Sequence, residues 1–241
     1  MCTTRNGGVS ARPYDSLNLG THVGDDANKV ARNRVLLQGA LGVKPVFLNQ
    51  VHGTEMLAVA HDTPDSASAD GAFTCERGLA CTIMVADCLP VLLCDVQGRQ
   101  VAAVHAGWRG LAGEGGMGVL EHALKRFEAL APVGCNDDAI EVIAWMGPCI
   151  GPDAFEVGAD VVSAFTQTHA QAADFFMPLA GGKWLADLPA LARLRLAALG
   201  VTQVFGNDSS APWCTVGQPL RFFSHRRDRV SGRQAACIWL D

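Results

Sequence analysis

Three residues with metal-binding side chains, His52, Cys88 and His105, each follow a run of apolar residues. Such runs predict buried strands, and the ends of strands are where protein scaffolds present reactive groups. Imidazole nitrogen and thiolate sulfur are good ligands for zinc, and three protein ligands leave the fourth tetrahedral position open to water or substrate. A metal held in this way polarises a substrate oxygen or lowers the pKa of bound water. The trio therefore predicts a catalytic metal site.

The spacing of these three residues leaves other interpretations open. Their intervals match no short zinc motif, and seven histidines and nine cysteines allow many other triples. One alternative is that Cys88 is a small buried apolar residue and that the histidines make ordinary hydrogen bonds in loops. A second is a metal-free cysteine hydrolase, with Cys88 as nucleophile and His105 as base. A third is a binding module in which the metal is purely structural.

Apolar periodicity predicts the elements that would position the trio. A helix is predicted over Asn28–Leu41 and ends at Gly42, and the strands Val46–Val51 and Glu55–Ala60 are predicted to form a hairpin around His52. Dense apolar runs predict strands that are buried on both faces at 79–86, 91–96 and 101–104. Further helices are predicted over 119–130, 157–168 and 187–200, and further strands over 140–145, 201–205 and 235–240.

The order of these elements predicts the fold class. Helices and strands alternate irregularly, which favours an α+β fold over a doubly wound parallel sheet. We expect a mixed β-sheet or sandwich core that is flanked by helices. No internal repeat, low-complexity tract or linker interrupts the chain, so a single domain is predicted over residues 1–241.

The composition excludes several classes of protein. A chain with 49% hydrophobic and 18% charged residues is typical of a compact globular protein and not of a disordered one. The net charge is −5 and no basic run is longer than Arg226–Arg227, so no nucleic acid partner is expected, whereas a few arginines in a cleft can bind a small anion. The most apolar window, 79–94, is too short to cross a bilayer, so no membrane partner is expected.

The start of the chain and its cysteines predict a cellular compartment. The segment MCTTRNGGVS has neither a basic nor an apolar signal region, so no signal peptide is expected. Nine cysteines are an odd number, and they include no C-x-x-C pair. Both features favour free thiols in a reducing cytoplasm.

Several longer segments resemble one known family. In order they are TTRNGGVSARPYDSLNLGTHVGDD, NQVHG, ADCLPVLL, AAVHAGWRG, GPCIGPDAFEVG and FFSHRRD, followed by SGR. This series resembles the YfiH family, also called the laccase-domain or polyphenol-oxidase family, across essentially the whole chain. Members usually carry a short stretch before the first motif, so we expect an edge strand that they have to be missing from this sequence. In that family the histidine of VHG, the cysteine of ADC and the histidine of VHAGWRG bind zinc in the active site, which implies the same role for His52, Cys88 and His105.

The resemblance implies an activity less directly than it implies a site. Family members have been described as purine nucleoside phosphorylases with adenosine deaminase activity, as copper-dependent polyphenol oxidases, and as an editing factor that acts on peptidoglycan precursors. A multicopper laccase needs many histidines, usually in H-x-H pairs, and this chain has seven histidines and no H-x-H. We therefore expect zinc-dependent phosphorolysis of purine nucleosides (adenosine, inosine, guanosine and methylthioadenosine), although copper can also occupy such a site.

Arginines and aspartates within the family segments are the predicted substrate and support residues. Arg5, Arg109 and Arg226 are predicted to bind phosphate, because a guanidinium forms paired hydrogen bonds with it; surface charge or an ion pair is the alternative. Asp87 is predicted to orient a ligand histidine through its free N–H. No H-x-E motif supplies the proton shuttle of known deaminases, so Asp87 or Asp70 is the alternative acid or base. His225 stands where tyrosine is usual in the family, and PWCTVGQPL also differs, so substrate contacts transfer less directly.

Overall fold

Two stacked β-sheets with helices on their outer faces form the described part of the chain. The computed structural model describes residues 1–129 and 141–241. Its α-helices are α1 (Ala27–Leu41), α2 (Trp108–Ala112), α3 (Val119–Ala129), α4 (Ala159–Thr166), α5 (Leu188–Ala198) and α6 (His225–Asp228). The first six strands are β1 (Lys44–Phe47), β2 (Met56–Ala58), β3 (Gly71–Thr74), β4 (Leu79–Val85), β5 (Leu89–Asp95) and β6 (Val101–Ala106). The others are β7 (Val142–Met146), β8 (Glu156–Val157), β9 (Phe176–Pro178), β10 (Trp184–Ala186), β11 (Gln203–Gly206) and β12 (Gln234–Trp239).

The larger sheet has six strands in the order β11-β7-β5-β6-β3-β2. It is mixed, because β5 is antiparallel to β6 and β7, whereas β2 and β3 are parallel. A three-stranded sheet has the order β1-β4-β12, and a small peripheral sheet has the order β8-β10-β9. The predicted α+β class, with a mixed-sheet core and flanking helices, is confirmed.

The alternation of side chains along the central strands explains the layering. On β5, Leu89, Val91 and Leu93 belong to the apolar cluster shared with α3, α4 and α5, whereas Leu92 belongs to the cluster between the two sheets. The opposite face of the three-stranded sheet packs on α1 through residues such as Leu37. Strands covered on both faces need apolar residues at nearly every position, and all seven residues of β4 are buried. Within the described residues, no helix is long and apolar enough to cross a membrane.

Most predicted elements lie where the sequence placed them, but the hairpin prediction is wrong. β1 pairs with β4 in the three-stranded sheet, whereas β2 pairs with β3 in the larger sheet. The chain between β1 and β2 therefore crosses from one sheet to the other. Alternating apolar residues identify a strand but not its partner, which tertiary packing decides. Leu130 and Ile140, at the predicted ends of a helix and a strand, lie outside the described residues.

Helix boundaries follow local side-chain chemistry. The Asp26 carboxylate accepts from the backbone N–H of Asn28 at 2.8 Å and begins α1, and Gly42, with φ of 72°, ends it. Asp187, the first residue of the helix predicted over 187–200, caps α5, because its carboxylate accepts from Ala190 N at 2.9 Å.

A buried ion pair joins α3 to α5. Arg195 is 1% exposed, and its Nε donates to Glu121 Oε1 at 2.8 Å. Its Nη groups donate to the carbonyl oxygens of Ala112 and Gly116. The second oxygen of Glu121 accepts from Gly118 N at 2.8 Å, so this pair also fixes the turn before α3.

We predict that Arg195→Ala lowers the free energy of unfolding by about 3–5 kcal/mol, because it leaves the Glu121 carboxylate buried without its partner. Arg126→Ala, an exposed change on α3, should alter it by less than about 0.5 kcal/mol. Urea denaturation of both variants measures the difference. A loss in Arg195→Ala no larger than that of the control would contradict the role of this ion pair.

Candidate active site

The structure brings His52, Cys88 and His105 together. His52 Nε2 lies 3.8 Å from Cys88 Sγ, and the ligand atoms of all three residues lie within 4.8 Å of one another. Ligands of one tetrahedral zinc ion are about 3.5 Å apart, given Zn–N and Zn–S bonds of about 2.0–2.3 Å. The donor set and its spacing therefore fit a metal ion after small side-chain adjustments.

Two of the three candidate ligands lie where the chain passes between the stacked sheets. His52 is in the crossing from β1 to β2, and Cys88 is in the crossing from β4 to β5. His105 lies on β6 of the larger sheet, opposite Pro90. His52 has φ of 61° and Asp87 has φ of 90°, values that non-glycine residues adopt only when surrounding contacts hold them. The candidate metal centre thus sits at the seam between the sheets.

Asp70 holds both histidines in place through hydrogen bonds. Its buried carboxylate accepts from the backbone N–H groups of Val51, His52 and Gly53 at 3.2, 2.8 and 2.7 Å. The same carboxylate lies 2.8 Å from His105 Nδ1. This contact leaves Nε2 as the His105 nitrogen available to a metal, an arrangement that is common for metal-binding histidines.

Gly107 leaves room for the trio. A Cβ atom at this position would lie 3.0 Å from His52 Cδ2, 3.2 Å from Cys88 Sγ and 3.7 Å from His105 Cε1. Contacts at the two shorter distances would crowd the ligands, so a side chain here would displace them. Gly107, the first glycine of the VHAGWRG segment, therefore has a steric role at the site.

The charges around Cys88 favour its thiolate. Burial acts to raise the pKa of Cys88, but the charge of His105 and hydrogen bonds from both histidines outweigh it and lower the pKa. Burial acts to lower the pKa of His105, but the Cys88 thiolate and Asp70 raise it. By contrast, burial raises the pKa of Cys237 to about 11. Because thiolate is the form that binds metal, Cys88 is set apart chemically from the structural cysteines.

A cavity of about 420 Å³ opens beside the trio. This volume lies within the usual range for small-molecule sites. Trp108, Ile150, Phe155 and Leu188 contribute an apolar wall. An aromatic and aliphatic wall next to polar groups suits a flat organic ring that carries polar substituents.

Asp87 lines this cavity but does not have the contact predicted for it. The aspartate that orients His105 is Asp70, whereas the Asp87 carboxylate accepts from Thr215 Oγ1 and Arg226 N. The prediction for Asp87 is therefore wrong, because hydrogen bonds from these later segments of the chain engage both of its carboxylate oxygens.

Of the three arginines predicted to bind phosphate, Arg226 lines the cavity. Arg5 instead donates to the carbonyl oxygens of Asp15 and Pro219, each at 2.9 Å, and stacks on Phe223. Arg109 is exposed and lies over the Trp108 ring, 4.4 Å from its centroid. The structure therefore gives Arg5 and Arg109 packing contacts outside the cavity lining.

Sequence reasoning assigned no site role to four other basic residues of the cavity, which are His22, His225, Arg229 and Arg233. His22 and Arg233 lie in the GTHVGDD and SGR segments, so the family segments contained this information. Among the described residues, neither Arg229 nor Arg233 has a carboxylate within ion-pair distance. We call Arg229 and Arg233 the cationic rim and leave His22 out, because burial and the nearby Arg233 and Arg34 lower the pKa of His22. Unpaired guanidinium groups that line a cavity are suited to an anionic ligand.

Comparison with known proteins finds similar sequences along the whole chain. A family profile described as multi-copper polyphenol oxidoreductase laccase matches residues 1–241. The protein named purine nucleoside phosphorylase YfiH from Escherichia coli (strain K12) is 47% identical over 240 residues, which cover 99% of this chain and 92% of the relative. A purine nucleoside phosphorylase of Streptomyces coelicolor is 37% identical over 244 residues, which cover 99% of this chain and 94% of the relative.

Solved structures agree with these sequence matches. A crystal structure of a Neisseria meningitidis protein superposes with a TM-score of 0.89 at 47% identity and covers 100% of this chain and 93% of its own. The YfiH protein of Bacillus licheniformis superposes with a TM-score of 0.85 at 29% identity and covers 100% and 91%. The similarity therefore extends over the sheets and the site together.

We predict that Asp70→Asn lowers metal affinity by about 10- to 100-fold, because the amide cannot accept every hydrogen bond that holds the His52 loop and His105. Asp95→Asn is a matched control, since Asp95 is also buried and accepts from backbone N–H groups and from Arg99. Competition with a chromogenic chelator measures both affinities. Equal losses in the two variants would mean that general destabilisation, and not support of the ligands, explains the effect.

Proposed function

Because this chain belongs to the laccase-domain family that includes the YfiH proteins, we propose that it cleaves purine nucleosides with inorganic phosphate. A phosphate oxygen forms a bond to the anomeric carbon of ribose while the bond from that carbon to the purine nitrogen breaks. The base leaves with the bonding electrons and is protonated, and ribose 1-phosphate remains. The observation that carries the proposal is one cavity that joins the His–Cys–His trio, an apolar wall and the cationic rim.

Different residues of the cavity are proposed to bind the purine ring and the phosphate. The proposed position of the purine ring is against Trp108 and Phe155, where aromatic faces can stack on it. The proposed position of phosphate is the cationic rim and Arg226, where guanidinium groups form charge-assisted hydrogen bonds. The wall offers little that distinguishes one purine from another, which supports adenosine, inosine, guanosine and methylthioadenosine as alternative substrates.

Zinc is the metal that we propose for the trio. Its preferred nitrogen and sulfur donors match His52, Cys88 and His105, and a bound ion would supply a Lewis acid beside the substrate. Copper also binds such donors, but a laccase needs several copper ions. Within residues 1–129 and 141–241, one His/Cys cluster has ligand geometry, which supports phosphorolysis over polyphenol oxidation.

Deamination of adenosine at the same metal is proposed as a second activity. The proposed location is the cytoplasm, where free thiols persist.

We predict that adenosine consumption by the zinc-loaded protein rises with phosphate concentration and yields adenine and ribose 1-phosphate. Cys88→Ala should lower kcat/KM by at least about 100-fold, because the electrophile loses a ligand. Cys94→Ala, at the far end of β5, should keep kcat/KM within about threefold of the wild type. Chromatography of the products with and without phosphate provides the measurement.

The products also identify the competing activities. Inosine as the sole product, independent of phosphate, would identify a deaminase and overturn phosphorolysis. Oxidation of a phenol by the copper-loaded protein, with no nucleoside consumed, would identify a polyphenol oxidase.

Arg233→Gln should raise the KM for phosphate about 10- to 100-fold, which is the effect of one lost charge-assisted hydrogen bond. Arg126→Gln is the exposed control and should leave that KM unchanged.

We predict that chelation abolishes activity but leaves the fold intact. A chain of this size buries enough apolar surface to fold without metal, unlike a small zinc finger. Calorimetry of the chelated protein should therefore retain one cooperative transition, and added zinc should restore activity. Complete unfolding on chelation would identify the metal as structural and support the binding-module alternative.

A cysteine hydrolase that acts on a peptidoglycan precursor is the second candidate function. Cys88, His105 and Asp70 lie in the order nucleophile, base and orienting carboxylate, and the pKa of Cys88 is lowered. Metal content separates the two candidates, because a thiolate bound to zinc is a ligand and not a free nucleophile. Stoichiometric zinc in the purified protein, with rapid alkylation of Cys88 only after chelation, would exclude the hydrolase.

A further inference from the structure

Asp87 connects the metal ligand Cys88 to two segments that lie far away in sequence. Its Oδ1 accepts from Thr215 Oγ1 at 2.6 Å, and its Oδ2 accepts from the backbone N–H of Arg226 at 2.6 Å. Its backbone carbonyl accepts from Ile150 N at 2.9 Å. We propose that Asp87 is a positioning residue that fixes helix α6, and with it the arginines of the cavity, relative to the metal trio.

The N-terminal N–H groups of helix α6 donate hydrogen bonds to two different parts of the chain. The Ser224 hydroxyl accepts from Arg227 N at 3.1 Å and is a local cap. Asp87 supplies the other cap from the crossing between β4 and β5. A local cap stabilises the helix wherever it lies, whereas a cap from another segment also fixes its position. Asp87 therefore has a geometric role that Ser224 does not share.

The helix held in this way carries the cationic side of the cavity. Arg226 lies on α6 and lines the cavity, and its guanidinium donates to the carbonyl oxygen of Glu156 at 3.1 Å. Arg229, at the end of α6, has φ of 61° and lines the same cavity. A shift of α6 would change the positions of both guanidinium groups relative to Cys88 while leaving His52 and His105 on their own supports. Loss of the Asp87 carboxylate should therefore affect phosphate binding more than metal binding.

The backbone of Asp87 decides which substitutions are informative. With φ of 90°, this position suits glycine and is tolerated by asparagine and aspartate better than by alanine. Asp87→Gly removes the carboxylate without adding backbone strain. Asp87→Asn keeps both contacts, because its oxygen can accept from Arg226 N while its amide donates to the Thr215 hydroxyl, which can act as acceptor. Comparing Asp87→Gly with Asp87→Asn distinguishes the effect of losing the hydrogen bonds from the effect of losing the charge.

The first test rests on the proposed function and compares steady-state kinetics with zinc content. Asp87→Gly should raise the KM for phosphate about 10-fold or more, as expected for misplaced binding groups, with zinc stoichiometry unchanged. Asp87→Asn should restore that KM to within about threefold of the wild type. Ser224→Ala is the matched control, because it removes only the local cap, and its KM should also stay within about threefold.

Three outcomes of this test would overturn the proposal. A kcat lowered by about 100-fold or more in Asp87→Asn with an unchanged KM would identify Asp87 as a proton-transfer residue. Loss of zinc from Asp87→Gly would identify it as a support of the metal ligands. An equal rise of KM in Ser224→Ala would mean that general loosening of α6 explains the effect.

Hydrogen exchange tests the same contact without any turnover. Asp87→Gly should speed amide exchange both in α6 and in the turn around Thr215, whereas Ser224→Ala should speed it in α6 alone. Unchanged exchange in Asp87→Gly would overturn the positioning role whatever the enzyme's substrate. If exchange changes as expected but no nucleoside is cleaved by the wild type, the proposed function fails and the positioning role stands.

Discussion

The arrangement of the site depends on the hydrogen bonds of the Asp70 carboxylate. This carboxylate is fully buried, and it holds the backbone of Val51, His52 and Gly53 together with the ring of His105. Burial acts to raise the pKa of Asp70, but the hydrogen bonds with His105 and with the backbone N–H groups of Gly53 and His52 outweigh it and lower the pKa. A buried carboxylate is stable only with such partners, so the fold of the crossing loop and the orientation of the histidine are mutually dependent.

The stacking of two sheets explains why a metal site can form here. A strand in one sheet and the next strand in the other must be joined by a crossing, and two such crossings, at His52 and at Cys88, meet above β6. Crossings expose backbone groups and allow unusual dihedral angles, which regular strands do not. The rigid sheets fix the ends of each crossing, and Gly107 keeps the space between the ligands free.

The cavity has an apolar side and a cationic side, which match the purine ring and the phosphate of the proposed reaction. Phe155 and Leu188 contribute to its apolar wall, and the cationic rim lies toward the later segments of the chain. Burial lowers the pKa of Arg233, and the charges of Cys88 and Asp87 partly oppose that shift. An anion bound at this rim would therefore be held close to the negative charge of the trio, which a metal ion offsets. In the proposed site, a metal cation held by the trio and the guanidinium groups of the rim would both attract a phosphate anion.

The sequence by itself determined the local features of this protein. Apolar runs and caps placed α1, β4, β5 and α5, and the ends of strands pointed to His52, Cys88 and His105, because these properties depend on neighbouring residues. The partners of each strand could not be read in the same way, so β1 and β2 were joined in a hairpin that does not exist. The contact between Asp70 and His105, and the hydrogen bond from Arg5 to Pro219 outside the cavity, likewise join positions that are distant in sequence. Only tertiary structure decided these contacts, since sheet pairing and long-range hydrogen bonds depend on which surfaces the packed core brings together.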